Sequence, residues 1–371
     1  MPEMKPEHKI IRFAYALVSL GLIALLFAGL LSPFINPWHF WMAALAGLAF
    51  PLIWFLNSIN LLFSLFIDKR IFYVTLIYLL AGTPLMLRHF SISMKMGCDD
   101  DTEQFSIMSY NVEGFNGIAG KDKYAGQKII HSYINEKKPD IVCLQEYSMK
   151  GRKHGAFFKT LNENLHLDYK QLSGYNAEAL STSSILVTAS RHEILNQGIV
   201  YSPDIEIFAI FSDILLRSDT VRVFNVHLQS VKLISEKRIL KPERGQILKK
   251  TAVRNVISSL RKLKIAFRIR SYQSMILAAS IRESPYPVIV AGDFNDTPAS
   301  FTFRTIGKSL KEAAYLRTNG FSRTYVESYY PLKIDHIFMD KALITCNFKR
   351  DKVRLSDHFP VMAGFSLRQD K

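Results

Sequence analysis

The spacing of hydrophobic residues divides the chain into two parts. Ile10 to Phe90 is almost unbroken apolar sequence, and the segment that follows alternates apolar strands with polar stretches. The first apolar run has about 22 residues, which at 1.5 Å per residue can cross a hydrocarbon core of about 30 Å. Two further runs follow, and we predict a transmembrane region of about three helices, at 10–31, 40–67 and 71–87.

The sequence leaves two interpretations of the second apolar run. This run contains Pro51, Asn57 and Asn60, so it is either one tilted helix or a broken pair. A cleaved secretory signal is disfavoured for the first run, because two more apolar runs follow it and no small-residue cleavage site is evident.

Basic residues near the helix ends predict the orientation, because such residues accumulate on the cytoplasmic side. They precede the first helix (Lys5, Lys9 and Arg12) and separate the second from the third (Lys69 and Arg70). We expect a multi-pass protein of the cell membrane with a cytoplasmic N-terminus. Three crossings place the large C-terminal domain on the non-cytoplasmic side, and a fourth crossing would reverse that.

The soluble part has polar residues at the ends of its apolar strands. The predicted division is a membrane region at 1–92, an acidic linker at 93–104 and a catalytic domain at 105–371. At least five apolar strands end in a polar residue, and if these strands lie side by side their ends converge on one rim. The residues that would line this cleft are Asn111, Glu146, His227, Asp293, Asn295, Asp335, Asp357 and His358.

Each of these residues also has an ordinary structural explanation. Gly292 to Asp296 could form an Asx-rich turn, Glu146 could be a solvated charge, and His227 could be a buried structural histidine. Their joint occurrence in this order favours a functional site. Four carboxylates that lie together repel one another and require a cation, and oxygen ligands suit Mg²⁺ or Mn²⁺ better than zinc.

Six short segments carry a resemblance to a known family: SYNV, PDIVCLQE, FNVHL, VIVAGDFND, IDHIF and SDHFPV, in that order. They resemble the endonuclease/exonuclease/phosphatase superfamily, which includes deoxyribonuclease I, abasic-site endonucleases, neutral sphingomyelinases and inositol polyphosphate phosphatases. The resemblance spans nearly all of Phe105–Leu367 and leaves out the predicted membrane helices. It implies a deoxyribonuclease I-like, four-layer α/β/β/α sandwich and divalent-metal-dependent hydrolysis of phosphoesters.

The resemblance also implies a role for each matching residue. Glu146 matches the carboxylate that binds Mg²⁺, Asn111 matches the asparagine beside it, and Asp357 matches a second carboxylate on the metal side. These three are the expected metal-site residues.

The expected catalytic residues follow from the same segments. Asp293 matches the aspartate that orients or deprotonates the attacking water, and Asn295 matches the asparagine that contacts the phosphate and supports Asp293. His358 matches the histidine at the scissile phosphate, and Asp335 matches the aspartate that pairs with it. His227 matches a histidine that contacts the phosphate or assists the leaving group. Such an Asp–His pair favours the charged imidazole, which stabilises a developing phosphoryl charge.

One segment departs from the family's pattern. The middle strand SSILVTASRHEI lacks the glycine that the family often has before the corresponding segment. The residue from this region that would steady His227 is not identifiable, and Glu178 is a guess.

The charge distribution bears on the substrate. The formal net charge is +15, from 47 Lys and Arg against 32 Asp and Glu. Much of the excess lies between 231 and 281, where the basic residues face only Glu236 and Glu243; they are Lys232, Lys237, Arg238, Lys241, Arg244, Lys249, Lys250, Arg254, Arg261, Lys262, Lys264, Arg268 and Arg270. A solvated helix face, a nucleic-acid footprint and contact with an anionic membrane surface all explain this segment.

The three cysteines do not indicate a compartment. Cys98, Cys143 and Cys346 form no framework of paired spacings, so we expect that no disulfide is needed. Cys143 lies within an apolar strand, where a free cysteine behaves as a small hydrophobe.

Three functions remain after these observations. The first is a membrane-anchored, Mg²⁺-dependent phosphodiesterase or nuclease that uses metal-activated water, which the basic segment favours. The second is a sphingomyelinase-like phosphodiesterase or phosphatase that acts on lipid head groups or small phosphoesters, which the membrane region and His227 favour. The third is an inactive tethered binding module, and the intact residues in all six segments argue against it.

Overall fold

The computed structural model shows a bundle of helices followed by a domain of two stacked β-sheets. It describes residues 6–91, 93, 98, 104–117, 123–148, 165–173, 184–200, 207–217, 219–231 and 248–367. The predicted linker, 93–104, lies largely outside the described residues.

Four helices form the N-terminal region: α1 (Pro6–Leu31), α2 (Pro37–Leu48), α3 (Phe50–Ile67) and α4 (Lys69–Met86). Helices α1, α3 and α4 pack side by side. Two stretches of the described residues are long and apolar enough to cross a membrane, Lys9–Phe34 and Phe50–Ile67. The third predicted segment, 71–87, is helical as part of α4 but is not among these two.

The apolar run at 40–67 belongs to two helices, which is the broken-pair alternative. Helix α2 begins at Pro37, and the side chain of Asn36 accepts a hydrogen bond from the amide of Trp38 at 3.0 Å. Helix α3 starts directly after Ala49 and has Pro51 in its first turn. Proline lacks an N–H and is best tolerated in the first turn of a helix, so Pro51 favours a new start here over a continuous helix.

Polar side chains join the bundle internally. Asn60 Oδ1 accepts hydrogen bonds from Ser19 Oγ at 2.9 Å and from the Tyr15 hydroxyl at 3.1 Å, which ties α3 to α1. Asn57 Nδ2 donates to the carbonyl of Leu22 at 3.0 Å. Such interhelical hydrogen bonds satisfy polar groups that would otherwise be costly in an apolar bundle.

Two six-stranded sheets form the C-terminal domain. The strands are β1 (Phe90–Ser91), β2 (Gln104–Asn111), β3 (Ile141–Ser148), β4 (Tyr169–Leu172), β5 (Ser184–Ser190), β6 (Ile194–Ile199), β7 (Ala209–Leu216), β8 (Asp219–His227), β9 (Val288–Asp293), β10 (Lys311–Glu312), β11 (Gly320–Phe321), β12 (Asp335–Met339), β13 (Leu343–Arg350) and β14 (Val361–Leu367). One sheet has the order β13-β14-β2-β3-β5-β4 and the other β10-β12-β9-β8-β7-β6, and β1 pairs with β11 separately. Strands β2 and β3 are parallel, as are β8 and β9, and the remaining pairs are antiparallel.

The two sheets pack face to face and helices cover their outer faces. The inner layer is a continuous apolar core that includes Ile107, Val223 and Ile289. Helix α5 (Lys123–Lys137) covers the first sheet, and α6 (Leu248–Arg282) with α7 (Phe301–Ile306) covers the second. The architecture is therefore the predicted four-layer α/β/β/α sandwich, preceded by an all-α region.

The expectation that no disulfide is needed was wrong. Cys98 and Cys346 form a disulfide that links the segment before β2 to β13, with a Cα–Cα distance of 4.8 Å. Sequence spacing does not reveal this pair, because the two residues lie 248 positions apart and meet only in the folded sandwich. Cys143 is free and buried, as its apolar strand predicted.

The helical region packs directly against the sandwich. Ala299 lies in one apolar cluster with Leu26 and Phe50 of the helices. A Cβ atom on Gly47 of α2 would come within 2.2 Å of the carbonyl oxygen of Ala299, so the close contact requires glycine at that position. The loop that follows β9 is thus held against the N-terminal helices.

Candidate active site

Five strand ends bring polar side chains to one edge of the two sheets. Because parallel strands end at the same edge, Asn111 of β2 and Glu146 near the end of β3 lie together, and so do His227 of β8 and Asp293 of β9. Strand β12 runs antiparallel to β9 and pairs Asp335 with Asp293, so its first residue reaches the same edge. The stacking of the sheets places both groups in one cleft.

Glu146 reaches the cleft through a local irregularity of β3. The pairing of β3 with β5 shifts between Leu144 and Tyr147, and Glu146 has a φ of 52°. A bulge of this kind redirects one side chain out of the regular alternation. Glu146 is therefore in the cleft and is the most exposed carboxylate there, with 32% of its side chain accessible.

Asp293 lies at the centre of the cleft and is almost completely buried. Its Oδ1 accepts a hydrogen bond from the backbone amide of Asn295 at 2.8 Å, and its Oδ2 accepts one from Asn295 Nδ2 at 3.1 Å. Asn295 has a φ of 51°, a left-handed conformation that asparagine adopts more readily than most residues. Asn295 Nδ2 also donates to the carbonyl of Leu228, so the Asp293 carboxylate is held in one orientation.

The glycine before Asp293 is needed for this arrangement. A Cβ atom on Gly292 would come within 2.0 Å of the Val226 carbonyl oxygen on the neighbouring strand β8. Gly292 therefore permits the close approach of β9 and β8 that places Asp293 beside His227.

Asn111 connects the two sheets across the cleft. Its Nδ2 donates to Glu146 Oε1 at 3.1 Å and to Asp293 Oδ2 at 3.0 Å. Its Oδ1 accepts the backbone amide of Glu113 at 3.0 Å, which fixes the orientation of the carboxamide. One amide group thus holds two carboxylates of different sheets close to each other.

His227 lies between the same two carboxylates. Its Nε2 is 3.4 Å from Glu146 Oε1 and 3.7 Å from Asp293 Oδ2. Burial opposes the charged imidazole, but Glu146 and Asp293 outweigh burial and raise the pKa of His227. Among the described residues Glu146 is therefore its acidic partner, whereas the guessed partner, Glu178, lies outside the described residues.

His358 and Asp335 form a second pair. His358 Nδ1 is 2.9 Å from Asp335 Oδ2, and its Nε2 points towards Asp293 Oδ2 at 3.7 Å and Asp357 Oδ1 at 3.8 Å. Burial would lower the pKa of His358, but Asp335 and Asp293 outweigh it and raise the pKa to about 10. At neutral pH His358 is therefore an imidazolium whose Nε2–H faces the cleft.

Asp357 occupies the wall beside this pair. Its backbone amide donates to Glu113 Oε2 at 3.3 Å, and its Oδ1 lies 3.3 Å from Ser356 Oγ. The Ser356 hydroxyl donates to the carbonyl of Asn111 at 2.8 Å. These bonds attach the loop after β13 to the end of β2.

All eight predicted residues are thus located on one cleft.

The donor set of the cleft suits a hard divalent cation. Burial raises the pKa of the Asp293 carboxyl above its usual range, His358 opposes this shift and Asp335 adds to it. One oxygen of Asp293 and one of Asp335 lie within 4.8 Å of each other, and the charged His358 ring beside them offers no lone pair to a metal. Buried carboxylates that repel one another, with a carboxamide and Glu146 alongside, are a donor set that fits a divalent cation.

The structure also identifies residues that the sequence patterns did not indicate. Gln145 and Asn225 lie buried between the sheets, and Gln145 Nε2 donates to Asn225 Oδ1 at 2.8 Å. The ring of Tyr325 contacts the His358 ring edge-on, with centroids 5.2 Å apart. Tyr325 lies outside the six matching segments, so only the tertiary structure places it at the cleft.

Part of the basic segment has a structural role. Arg270 is buried, its Nε is 3.2 Å from Asp296 Oδ2, and its Nη1 donates to the carbonyl of Gln229. It therefore supports the loops that carry the site and does not face solvent. Nearer the N-terminus of α6, Arg268 and Lys264 lie over the rings of Trp38 and Trp41, at 5.1 Å and 5.8 Å from the ring centroids.

Comparison with known families identifies the sandwich domain. The profile of the "Endonuclease/Exonuclease/phosphatase family" matches residues 108–358, well over half of the chain. The chain belongs to this family. A second profile, "Domain of unknown function (DUF8431)", matches residues 8–89 and thus the N-terminal helices.

Solved structures share the fold of the endonuclease/exonuclease/phosphatase domain. A family member from Bacteroides vulgatus has 17% identity and a TM-score of 0.52, and the match covers 72% of this chain and 100% of that one. A family member from Bacteroides thetaiotaomicron has 15% identity and a TM-score of 0.52, with the same coverage. D. rerio TDP2 in complex with a single-strand DNA product has 16% identity and a TM-score of 0.50, covering 71% and 99%.

The alignment with curated sequences covers a shorter part of the chain. UPF0294 protein VV2535 of Vibrio vulnificus (strain YJ016) is 27% identical over 118 residues, 31% of this chain and 41% of the relative. UPF0294 protein VV1_1880 of strain CMCP6 matches to the same extent. The aligned part thus spans less than half of the length of these relatives.

Proposed function

We propose that this member of the endonuclease/exonuclease/phosphatase family is a membrane-anchored, divalent-metal-dependent phosphodiesterase that uses an activated water. The observation that carries the proposal is the position of the buried Asp293 carboxylate. It lies between two imidazoles, with His227 Nε2 and His358 Nε2 each 3.7 Å from its Oδ2. A carboxylate base and two imidazoles that converge on one point suit in-line attack of water on a phosphorus centre.

In this mechanism Asp293 accepts the proton of the attacking water. Asn295 restrains both oxygens of Asp293, so the carboxylate does not need to reorient when the substrate binds. The Nε2–H of His358 donates to a phosphoryl oxygen and stabilises the negative charge that builds up there. Asp335 accepts from Nδ1 of the same ring and keeps it charged. His227, beside Glu146, is positioned to donate to the leaving oxygen.

We assign the metal ligands to Glu146, Asn111 and Asp357. Glu146 and Asp357 offer carboxylate oxygens, and Asn111 would offer its Oδ1 once the carboxamide flips from the orientation in which Nδ2 donates to Glu146. Glu146 is held ionised: burial opposes ionisation, but His227 and Asn111 outweigh it and lower the pKa of Glu146 to about 2. Bound at this position, Mg²⁺ or Mn²⁺ would neutralise phosphoryl charge and polarise the scissile ester. Asp335 is less suited as a ligand, because both of its oxygens lie within 3.1 Å of His358 Nδ1.

Replacing Glu146 with glutamine tests this ligand assignment. We expect the affinity for Mg²⁺ to fall by at least about 10-fold, because a carboxylate is exchanged for a neutral amide of the same shape. Calorimetric titration of the full-length protein with Mg²⁺ measures the change in affinity. Glu193→Gln removes an exposed carboxylate of the same sandwich and serves as the control. An unchanged titration midpoint in Glu146→Gln would remove Glu146 from the metal site.

Nucleic acid is the first candidate substrate. The related TDP2 structure contains a single-strand DNA product, and the chain carries a formal net charge of +15. Basic protein surfaces attract polyphosphate chains through counterion release, so this binding would depend strongly on salt.

A phosphodiester lipid is the second candidate, and the position of the cleft favours it. The loop from Asp293 ends at Ala299, which packs against Leu26 and Phe50 of the helices. The described part of α6 lies along α2, where Arg268 contacts Trp38. Both the cleft and part of the basic segment therefore adjoin the proposed membrane region.

The experiment that separates these candidates uses the full-length protein in detergent with Mg²⁺. Plasmid nicking that weakens as salt increases would support the nuclease. Release of phosphate-containing head groups from phospholipid vesicles, without nicking, would support the lipid phosphodiesterase. Absence of hydrolysis of both substrates, and of bis(p-nitrophenyl) phosphate, by folded protein that binds Mg²⁺ would leave the inactive binding module.

We further propose that the catalytic domain lies on the non-cytoplasmic side, with domain boundaries at 1–92, 93–104 and 105–371. Helices α1, α3 and α4 form an antiparallel bundle, and three crossings from a cytoplasmic N-terminus place the sandwich outside. The disulfide Cys98–Cys346 supports this side, because disulfides persist in oxidising compartments.

Proteolysis of intact cells tests the sidedness. With the outer barrier opened and the cytoplasmic membrane intact, added protease is expected to digest the sandwich domain. Maleimide labelling under denaturing, non-reducing conditions should modify Cys143 but not Cys98 or Cys346. Full protection from protease, together with labelling of all three cysteines, would place the domain in the cytoplasm.

A further inference from the structure

A groove separate from the active site lies where the helices meet the sandwich. It has a volume of about 930 Å³ and is lined by the C-terminal ends of α1 and α4, by α7 and by the turn that leads to β10. Strand β12 separates it from the catalytic cleft: Asp335 at one end faces the cleft, and Met339 at the other end lines the groove. At about 3.3 Å per residue, the two sites lie roughly 13 Å apart along this strand.

One wall of the groove is apolar and is continuous with the surface of the helices. Leu30 comes from α1, and Ala81, Pro84 and Leu85 come from α4. One turn earlier on α4, Ile77 is 64% exposed, so the apolar surface continues along the helix. In the bilayer position proposed above, this wall faces the acyl chains.

The opposite wall is basic. Arg304, Lys308 and Lys311 line it, and none of them has a carboxylate within 4.0 Å among the described residues. The guanidinium of Arg304 lies over the Phe34 ring, 4.3 Å from its centroid, which holds the charge at the end of α1. The acidic residue among the described lining residues, Glu312, is buried and is neutralised by Lys333 and Arg88.

We propose that this groove binds one anionic phospholipid from the bilayer. Its phosphate would lie against Arg304, Lys308 and Lys311, and its chains would follow Leu30 and Leu85. Cationic side chains give charge-assisted hydrogen bonds to phosphate, and an adjoining apolar wall selects an amphiphile over a free anion. The inference rests on the proposed bilayer location but not on the proposed reaction.

The position of the groove suggests what the lipid does. Helix α7 lines the groove and begins at Phe301, directly after the loop that leads from Asp293. A bound lipid would join α1, α4 and α7 and thereby stabilise the contact between the membrane region and the sandwich. Lipid binding should therefore raise the thermal stability of the protein.

The test uses full-length protein, delipidated in detergent, and the double variant Lys308→Gln/Lys311→Gln. Both lysines are exposed, so the variant is expected to fold, and circular dichroism checks this. The matched control is Lys128→Gln/Lys352→Gln, which removes two exposed charges outside the groove. Native mass spectrometry and the Tm report binding of phosphatidylglycerol, phosphatidylcholine and inorganic phosphate.

We expect the wild type and the control to retain one phosphatidylglycerol with about tenfold or greater preference over phosphatidylcholine, and the groove variant to lose that preference. Equal retention of both lipids, or an unaffected groove variant, would overturn the proposal. An equal rise in Tm with inorganic phosphate would assign the groove to a free anion instead.

Hydrolysis of bis(p-nitrophenyl) phosphate separates this proposal from the reaction. Both double variants should hydrolyse it at the wild-type rate, since no catalytic residue is altered. If the protein retains the lipid but does not hydrolyse the substrate, the groove proposal is supported and the proposed reaction is contradicted. If it hydrolyses the substrate but does not retain the lipid, the reaction is supported and the groove proposal is contradicted.

Discussion

Hydrolysis by the Asp293→Asn variant is expected to fall by about 10²–10⁴-fold, while its Tm does not fall. The amide cannot accept the proton of the attacking water, so the proposed base is lost. Burial and the nearby Asp335 raise the pKa of Asp293, which means that its ionised form costs the folded state free energy. Removing that charge should therefore leave the protein as stable as the wild type or more stable.

Asp168→Asn, which changes an exposed aspartate elsewhere in the sandwich, is the matched control. Hydrolysis of bis(p-nitrophenyl) phosphate at saturating Mg²⁺ and thermal unfolding are measured for all three proteins. Equal activity of the two variants would show that Asp293 is not the base. A large fall in Tm confined to Asp293→Asn would indicate a structural role for this carboxylate.

The second large effect is expected at the junction of the helices and the sandwich. Lys333 and Glu312 form a buried ion pair, and Lys333 Nζ also donates to the carbonyl of Arg88 at 3.0 Å. Burial alone would raise the pKa of Glu312, but Lys333 and His336 outweigh it and hold the pKa below its ordinary value. Ionised Glu312 therefore stabilises the fold at neutral pH, and this contribution is lost progressively as the pH falls from the ordinary carboxyl pKa through the lowered pKa of Glu312.

Replacing Lys333 with methionine leaves the Glu312 carboxylate buried without its closest cation, with the half-exposed Arg88 at 3.3 Å and the His336 ring at 3.7 Å beside it. The expected destabilisation is about 3–5 kcal/mol, which corresponds to a fall in Tm of roughly 6–20 °C. Differential scanning calorimetry of the full-length protein measures it.

Two further variants test the cause of this effect. Lys333→Met/Glu312→Gln removes both charges and is expected to recover part of the lost Tm, because no carboxylate is left uncompensated. Lys341→Met, at an exposed position, should change the Tm little. If Lys333→Met melts at the temperature of Lys341→Met, the buried pair does not stabilise the junction.

Local sequence determined much of the architecture. The strands are read from alternating or continuous apolar residues, and burial of such residues requires them to pack as sheets. The segment VIVAGDFND shows how far this extends: the strand and the polar residues at its end have their predicted positions, although Gly292 lies within the strand and not in a turn. Pro51, likewise, marks the division of the second apolar run into α2 and α3.

The tertiary structure decided which groups act together. Spacing along the chain did not reveal that Cys98 meets Cys346, because loops bring distant residues together only when both sheets have formed. The sequence does not identify the acidic partner of His227, whereas a bulge in β3 brings Glu146 to it. The charge pattern groups Arg270 with the other basic residues of its segment, although Asp296 neutralises it inside the fold.

The sequence by itself therefore determined the two-part organisation and the polar residues at the strand ends, which depend on periodicity and on residue type at positions close in the chain. The four-layer sandwich was implied by the resemblance of six segments to the family. The orientation of each side chain, the ion pair beneath the helices and the basic groove at their ends depend on contacts between residues far apart in sequence. Such contacts arise only from the packing of complete elements, and the tertiary structure alone decided them.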